Sequence, residues 1–268
     1  MTEHITDNLP SPTPYTGSKA DNMLRIALDV GEGLLKSGAD VHRVEFTIEK
    51  ICKSYGAVHV EVFSIYSLIL TSVRLADGSY SAQTRRVLDI SNNMLMIESY
   101  NSLSRRLCAQ TPDFEEADRL IKEVKEKCKY PTWLSITGYI FAAGSFAVFF
   151  GGTLRDGVAA GLIALVIYVI DRLSFDYFNR MVKTLMTAFI AGMLSGIAVK
   201  VGLANNMNMV LVGTMMLLIP GVALGNATRD LLCGDTIAGS LKVVQSFITA
   251  IVIAIGYALS IIVMGGVM

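Results

Sequence analysis

Apolar and polar positions change rhythm several times along the chain, and each change marks an element. From Met23 to Lys36, Leu24, Ala27, Leu28, Gly31, Leu34 and Leu35 share one face at helical spacing, and Gly38 is placed to end that helix. Asp40 then suits the N-cap of a second helix. Its apolar stripe is Val41, Val44, Ile48, Ile51, Cys52 and Tyr55, its polar face is His42, Arg43, Glu45, Glu49 and Lys53, and Gly56 follows. The period next falls to two: Val58, Val60 and Val62 alternate with His59, Glu61 and Phe63, which predicts a strand with one buried face. Ser67–Leu75 and about Tyr80–Val87 predict two more strands joined at Asp77-Gly78. Helical spacing returns over Asn92–Leu107. Thr111-Pro112 is read as the cap and first-turn proline of a last helix with Phe114, Ala117, Ile121, Val124 and Cys128 on one stripe.

Beyond Pro131 the pattern loses its polar face. Long apolar stretches cover about Trp133–Phe150, Gly157–Ile170, Thr184–Val201, Met209–Leu224 and Val243–Met264. Five spans of that length are expected of transmembrane helices. The second is short and bounded by Arg155-Asp156 and Asp171-Arg172, pairs into which it can extend by snorkelling. The fold class expected is a membrane protein: a cytoplasmic α+β domain followed by a bundle of about five transmembrane α-helices. The boundaries expected are a disordered lead over 1–19, a hydrophilic domain over 20–130 and a transmembrane domain over 131–268.

Charge supports this division. Hydrophobic residues make up 52% of the 268 and charged residues 17%, against about 25% charged in an ordinary soluble domain. Residues 1–132 hold sixteen Lys/Arg and eighteen Asp/Glu, whereas 133–268 hold seven Lys/Arg, five Asp and no Glu. The formal net charge is zero, which offers nothing to nucleic acid. Cys52, Cys108, Cys128 and Cys233 show no CxxC or metal-ligand spacing, so reduced thiols and no metal or other cofactor are expected. The polar start, with Pro10, Pro12 and Pro14, lacks a signal-peptide pattern. Short loops carrying Arg172, Arg180 and Lys183, and Arg229 and Lys242, oppose loops with only Arg155 and Lys200. The positive-inside rule then expects the N-terminus in the cytoplasm and Met268 outside.

Small residues recur four apart at Gly157/Gly161, Gly192/Gly196 and Gly221/Gly225. The first two pairs are read as ordinary helix packing. The third lies in an unusual stretch, where Pro220 and Gly221 should break a membrane helix just before Asn226, Thr228, Arg229, Asp230 and Asp235. Broken helices are a common way for secondary transporters to build a substrate site. Arg229 suits a substrate carboxylate, and Asp230 or Asp235 suits a substrate amine or a coupling proton. A solvated loop with an Arg–Asp pair explains the same residues equally well on spacing alone. His42, His59, Asp40, Glu45 and Glu61 form a candidate acid/base group, with solvated faces and caps the plainer account. GxSxG, Walker A, HExxH and GxGxxG motifs are absent from the sequence.

The stretch Ser37-Gly38-Ala39-Asp40-Val41-His42-Arg43-Val44-Glu45, followed by Ile48-Glu49 and Tyr55-Gly56, resembles the N-terminal signature of the threonine/serine exporter family. So do Arg85-Arg86, Leu103-Ser104-Arg105-Arg106, and Ile219-Pro220-Gly221 running through Asn226, Arg229-Asp230 and Gly234-Asp235 to Gly239. The resemblance covers about residues 20–265. It implies an exporter subunit for small carboxylate metabolites (threonine, serine or a succinate-like dicarboxylate) in the bacterial inner membrane. It implies lipid around the helices and a separate small membrane partner subunit, because this chain is similar to the larger half of the family's two-protein members; a homo-oligomer is also open. Pro220, Gly221, Asn226, Thr228, Arg229, Asp230 and Asp235 are the substrate-binding candidates, and Asp40, Arg43, Glu45 and Glu49 the candidates in the hydrophilic domain; no catalytic residue is assigned. The alternatives are a membrane-anchored hydrolase-like enzyme using His42, Glu45 and His59, and a non-transporting sensory subunit.

Overall fold

The computed structural model describes residues 18–88, 90–127, 130–173 and 179–265. The expectation for residues 1–17 of the lead, and the place given to Cys128, lie outside these. The chain divides into two units, one of Met1–Cys128 with Arg229–Ala238, the other of Lys129–Thr228 with Gly239–Met268.

In the first unit α1 (Lys19–Lys36), α2 (Val41–Ser54), β1 (Ala57–Ile65), β2 (Leu68–Leu75), β3 (Tyr80–Arg86), α3 (Met94–Gln110) and α4 (Phe114–Lys127) follow in order. The helix α1 starts earlier than its apolar face, because Ser18 and Asp21 form a capping box. It ends in a Schellman turn, with Ala39 N–H on Leu34 O and Gly38 N–H on Leu35 O, for which Gly38 takes φ 87°. The residues Met23, Ile26 and Val30 are buried as well as the predicted stripe. The reason is position: α2, α3, α4, β2 and β3 all pack on α1. Its charged residues reach the surface in pairs, Arg25 bidentate on Asp118 at 2.7 and 2.8 Å, and Asp29 and Glu32 beside Arg85. Two glycines allow close approach, Gly31 under Ile48 and Gly33 under the Tyr100 ring.

The sheet is antiparallel in the order β1-β2-β3. Its first strand departs from simple alternation. Ala57 pairs with Leu75 and Val60 with Val73, so β1 holds one extra residue near Val58. That bulge puts Ala57 in the core in place of Val58, which is 61% exposed. A second correction concerns the start of α4. The residue Thr111 ends α3 in the left-handed region, at φ 40°, and Asp113 accepts the Glu116 N–H in the capping role expected of Thr111.

The second unit contains α5 (Thr132–Phe149), α6 (Leu154–Arg172), α7 (Arg180–Lys200), α8 (Met207–Leu218), the first part of α9 (Gly221–Cys233) and most of α10 (Thr236–Gly265). By length and composition α5, α7 and α10 can each cross a membrane, and α8 with α9, bent by 52° at the break, is either a fourth, broken span or a re-entrant loop. The helix α6 takes in both charged pairs, Arg155-Asp156 and Asp171-Arg172, and is not among them. Small residues hold this unit together. Gly157 meets Gly144 O and Val148, Gly161 meets Ile140, Gly192 meets Ser260 and Tyr257, and Gly213 meets Ala143 O. The first two glycine pairs therefore pack as expected, whereas a Cβ on Gly221 or Gly225 would meet nothing within 4 Å. Among the described residues of this unit one carboxylate is fully buried, Asp156. It completes a capping box with Thr153 and accepts the Asn205 and Asn206 N–H groups at 2.7 and 2.8 Å, which fixes the α7–α8 turn.

Candidate functional site

The N-terminus of α2 organises the polar residues of the first unit. Asp40 is its N-cap, with one carboxylate oxygen accepting the Arg43 N–H at 2.9 Å. The other oxygen faces two guanidinium groups, Arg43 Nε at 3.3 Å and Arg229 at 3.5 Å. Beside it Asp230, fully buried, accepts the Val41 N–H at 3.1 Å. Arg229-Asp230 and Asp40-Val41 are thus joined reciprocally, cation to carboxylate and carboxylate to backbone, across 189 residues of chain. Two carboxylates at a helix N-terminus, with orphan N–H groups satisfied, are a stable electrostatic arrangement.

A second group of acids lies close by. Glu45 accepts the Ser64 N–H at 2.6 Å. Burial pushes its carboxyl above the ordinary range, and the nearby Asp235 and Asp230 add to the rise, while the Ser64 hydrogen bond and His42 oppose it. Asp235 donates its N–H to Asp230 O at 2.9 Å, and its Oδ2 is buried with no hydrogen-bond partner among the described residues.

The cleft alongside, about 710 Å³, is lined by Asp40, His42, Arg43, Phe46, Thr47, Lys50, Asn101, Ser104, Arg105, Cys108, Ala109 and Arg229. The expected candidates thus divide. Asp40, Arg43 and Arg229 come together at the cleft, with Glu45, Asp230 and Asp235 around the α2 terminus. Glu49 instead pairs with Lys53 at the surface. Lys50 and Arg105, and the polar Asn101 and Ser104, are not among the expected candidates; Ser104-Arg105 belongs to a stretch that carries the family resemblance. His59 pairs with Glu61 at 3.1 Å on the sheet and does not line the cleft with His42. No three His, Cys, Asp or Glu side chains are grouped to hold a metal among the described residues.

In the second unit the chain breaks at Ile219-Pro220. Ile219 leaves the helical region with ψ 128°, and α9 restarts at Gly221 with Leu224 N–H on Pro220 O. This is the interruption that a proline without an N–H imposes. The Thr228 hydroxyl is taken up by Leu224 O, one turn back, and Asn226 is half-buried on the same helix.

Long apolar helices with a bent pair, following a charge-rich unit, define an integral membrane protein. The chain belongs to the threonine/serine exporter family: residues 25–264 match the family described as "Putative threonine/serine exporter". Among curated relatives it is 21% identical over 245 residues to the "Probable succinate transporter subunit YjjP" of Escherichia coli K12, covering 90% of this chain and 94% of that one. The protein of the same name from Klebsiella aerogenes is 22% identical over 218 residues, 80% of this chain and 83% of that one. The "Threonine/serine exporter" of Corynebacterium glutamicum is 20% identical over 255 residues, 89% of this chain but 52% of that protein, so the match spans about half of its length. No solved structure matches the chain significantly.

Proposed function

We propose that this chain is one subunit of a secondary-active exporter that moves a small carboxylate metabolite, a hydroxy-amino acid or a succinate-like dicarboxylate, out of the bacterial cytoplasm. Family membership supports export as the activity, and the word "subunit" in the names of two relatives supports a separate membrane partner. In this reading the hydrophilic domain, residues 20–130, is cytoplasmic, the C-terminus is outside, and α6 completes five spans by pairing or snorkelling its terminal charges.

The observation that carries the site assignment is the Arg229–Asp40 pair on the helix that restarts after Pro220. Pro220 has no N–H with which to continue the α8 ladder, and Asn226, Thr228, Arg229, Asp230 and Asp235 follow along the same chain segment. Arg229, 54% exposed, exchanges Asp40 for the substrate carboxylate. Asp230 holds the local backbone through Val41, and Asp235, beside Glu45, receives the substrate amine or a coupling proton. A guanidinium already paired to a carboxylate has the right geometry for another, and exchange conserves charge at every step.

The test is export from cells carrying Arg229→Ala or Asp230→Asn at matched membrane levels. Export should fall at least tenfold for Arg229→Ala, the loss of a charge-assisted bidentate contact being worth about 1.5–3 kcal/mol. Unchanged rates in both variants would remove this segment from the substrate path.

A further inference from the structure

The cleft in the first unit holds more positive charge than the Asp40 pair uses. Its cations come from three elements: Arg43 and Lys50 from α2, Arg105 from α3 and Arg229 from α9. Its lining contains one carboxylate, Asp40, and both of that group's oxygens are occupied. Among the described residues Arg105 and Lys50 form no ion pair; Lys50 lies 4.5 Å over the Phe46 ring. Two positive groups therefore face a concave surface with no protein anion of their own, in addition to the shared pair.

Their spacing describes the ligand. Arg43 and Lys50 are seven residues apart on one helix face, about 10 Å along the axis. Phe46 and Thr47 lie between them, and Asn101, Ser104 and Arg105 line the cleft from α3. Cations from three elements, one of them lying over the Phe46 ring, around an apolar and hydroxyl-bearing lining suit an organic anion carrying more than one carboxylate. A compact phosphate can reach one end only. We propose that this cleft is a binding site for an elongated organic di- or tricarboxylate, held at one end by Arg43 and Arg229 and at the other by Lys50 and Arg105. The inference rests on the export reading above, with which it shares Arg229, and adds Lys50 and Arg105 as the groups that hold the second carboxylate.

The experiment is calorimetric titration of the full chain in detergent with glutarate, citrate, acetate and inorganic phosphate, at low and high ionic strength. Alkylation of Cys108, which lines the cleft, is followed in parallel by peptide mass spectrometry. Glutarate and citrate should saturate one site per chain, bind more weakly at high salt, and protect Cys108. Acetate and phosphate should bind at least tenfold more weakly. Arg105→Gln and Lys50→Gln should each weaken citrate about tenfold, with Arg105→Lys restoring part of the loss. The proposal is overturned if citrate and glutarate do not bind, if phosphate or acetate binds as tightly, or if the Gln variants, folded by circular dichroism, keep full affinity. Failure of transport with citrate binding intact would count against the exporter site alone; failure of binding with transport intact would count against the cleft alone.

Discussion

Large side chains and small ones have exchanged places between the two units. In the first, the fully buried positions include Tyr100, Met23, Leu24, Leu28, Leu34, Ile48 and Ile51. In the second, the buried positions are mainly Ala143, Ala147, Ala159, Ala160, Ala164, Ala188 and Ala191, while Phe141 is 74% and Phe149 79% exposed. In water, folding removes the largest apolar surfaces from solvent, and these therefore form the core. In lipid no such force separates helix from surroundings, so close approach of small residues and van der Waals contact decide what is inside. The same alphabet of residues has been sorted by two solvents, and the sorting identifies the second unit as lipid-facing more directly than its hydropathy does.

This contrast can be broken first where it should be strongest. Leu34→Ala, in the centre of the first core, should cost about 2–5 kcal/mol and abolish cooperative unfolding of that unit, as read by chemical denaturation. Adding volume should be the more damaging change in the second unit. A side chain at Gly213 would enter within 2.5 Å of Ala143 O, so Gly213→Val should cost about 1–3 kcal/mol in thermal stability in detergent. Gly33→Ala, driven into the Tyr100 ring, offers the matching overpacking test in the first unit with a similar penalty. At the other extreme Phe141→Ala, a deletion as large as any in the first core, should change stability in detergent by no more than about 0.5 kcal/mol. If Phe141→Ala destabilised as Leu34→Ala does, the second unit would not be facing lipid there.

A smaller effect comes from Glu45. Its folded carboxyl holds its proton over a pH range in which the unfolded chain has already lost it. Stability should therefore fall as pH rises from the ordinary Glu range through the raised value. Glu45→Gln keeps an acceptor for the Ser64 N–H and removes the repulsion from Asp235 and Asp230. It should melt higher than the parent above that range and level with it below, in melting curves taken across pH.

Much of this architecture was legible in the residues because each element carries a local signal. The stripes of α1 and α2, the Asp40 cap, the strand over Ser67–Leu75 and the Pro220 break depend on neighbours a few positions away. The misplacements came from effects with no local signal. The bulge that exposes Val58 is set by pairing with β2, and Thr111 ends α3 because Asp113 is the better cap for α4. The full burial of α1 reflects how many elements surround it, which one face of a helix cannot reveal. For the site, Asp40, Arg43, Arg229 and Asp230 were each noticed, but in two stretches read separately. A hydrogen bond spanning 189 residues leaves no periodicity, and Lys50 and Arg105 look like ordinary solvated charges until the fold lines one cleft with both.

The most direct test of the account is counterflow in proteoliposomes. Threonine, serine and succinate would be followed separately, with this chain alone, with the proposed membrane partner, and with Arg229→Ala in place of the parent chain. Flux of a carboxylate substrate should require the proposed partner and be lost in the Arg229→Ala assembly. Absence of flux for all three from correctly folded protein with the proposed partner, or full flux in the variant, would contradict this reading.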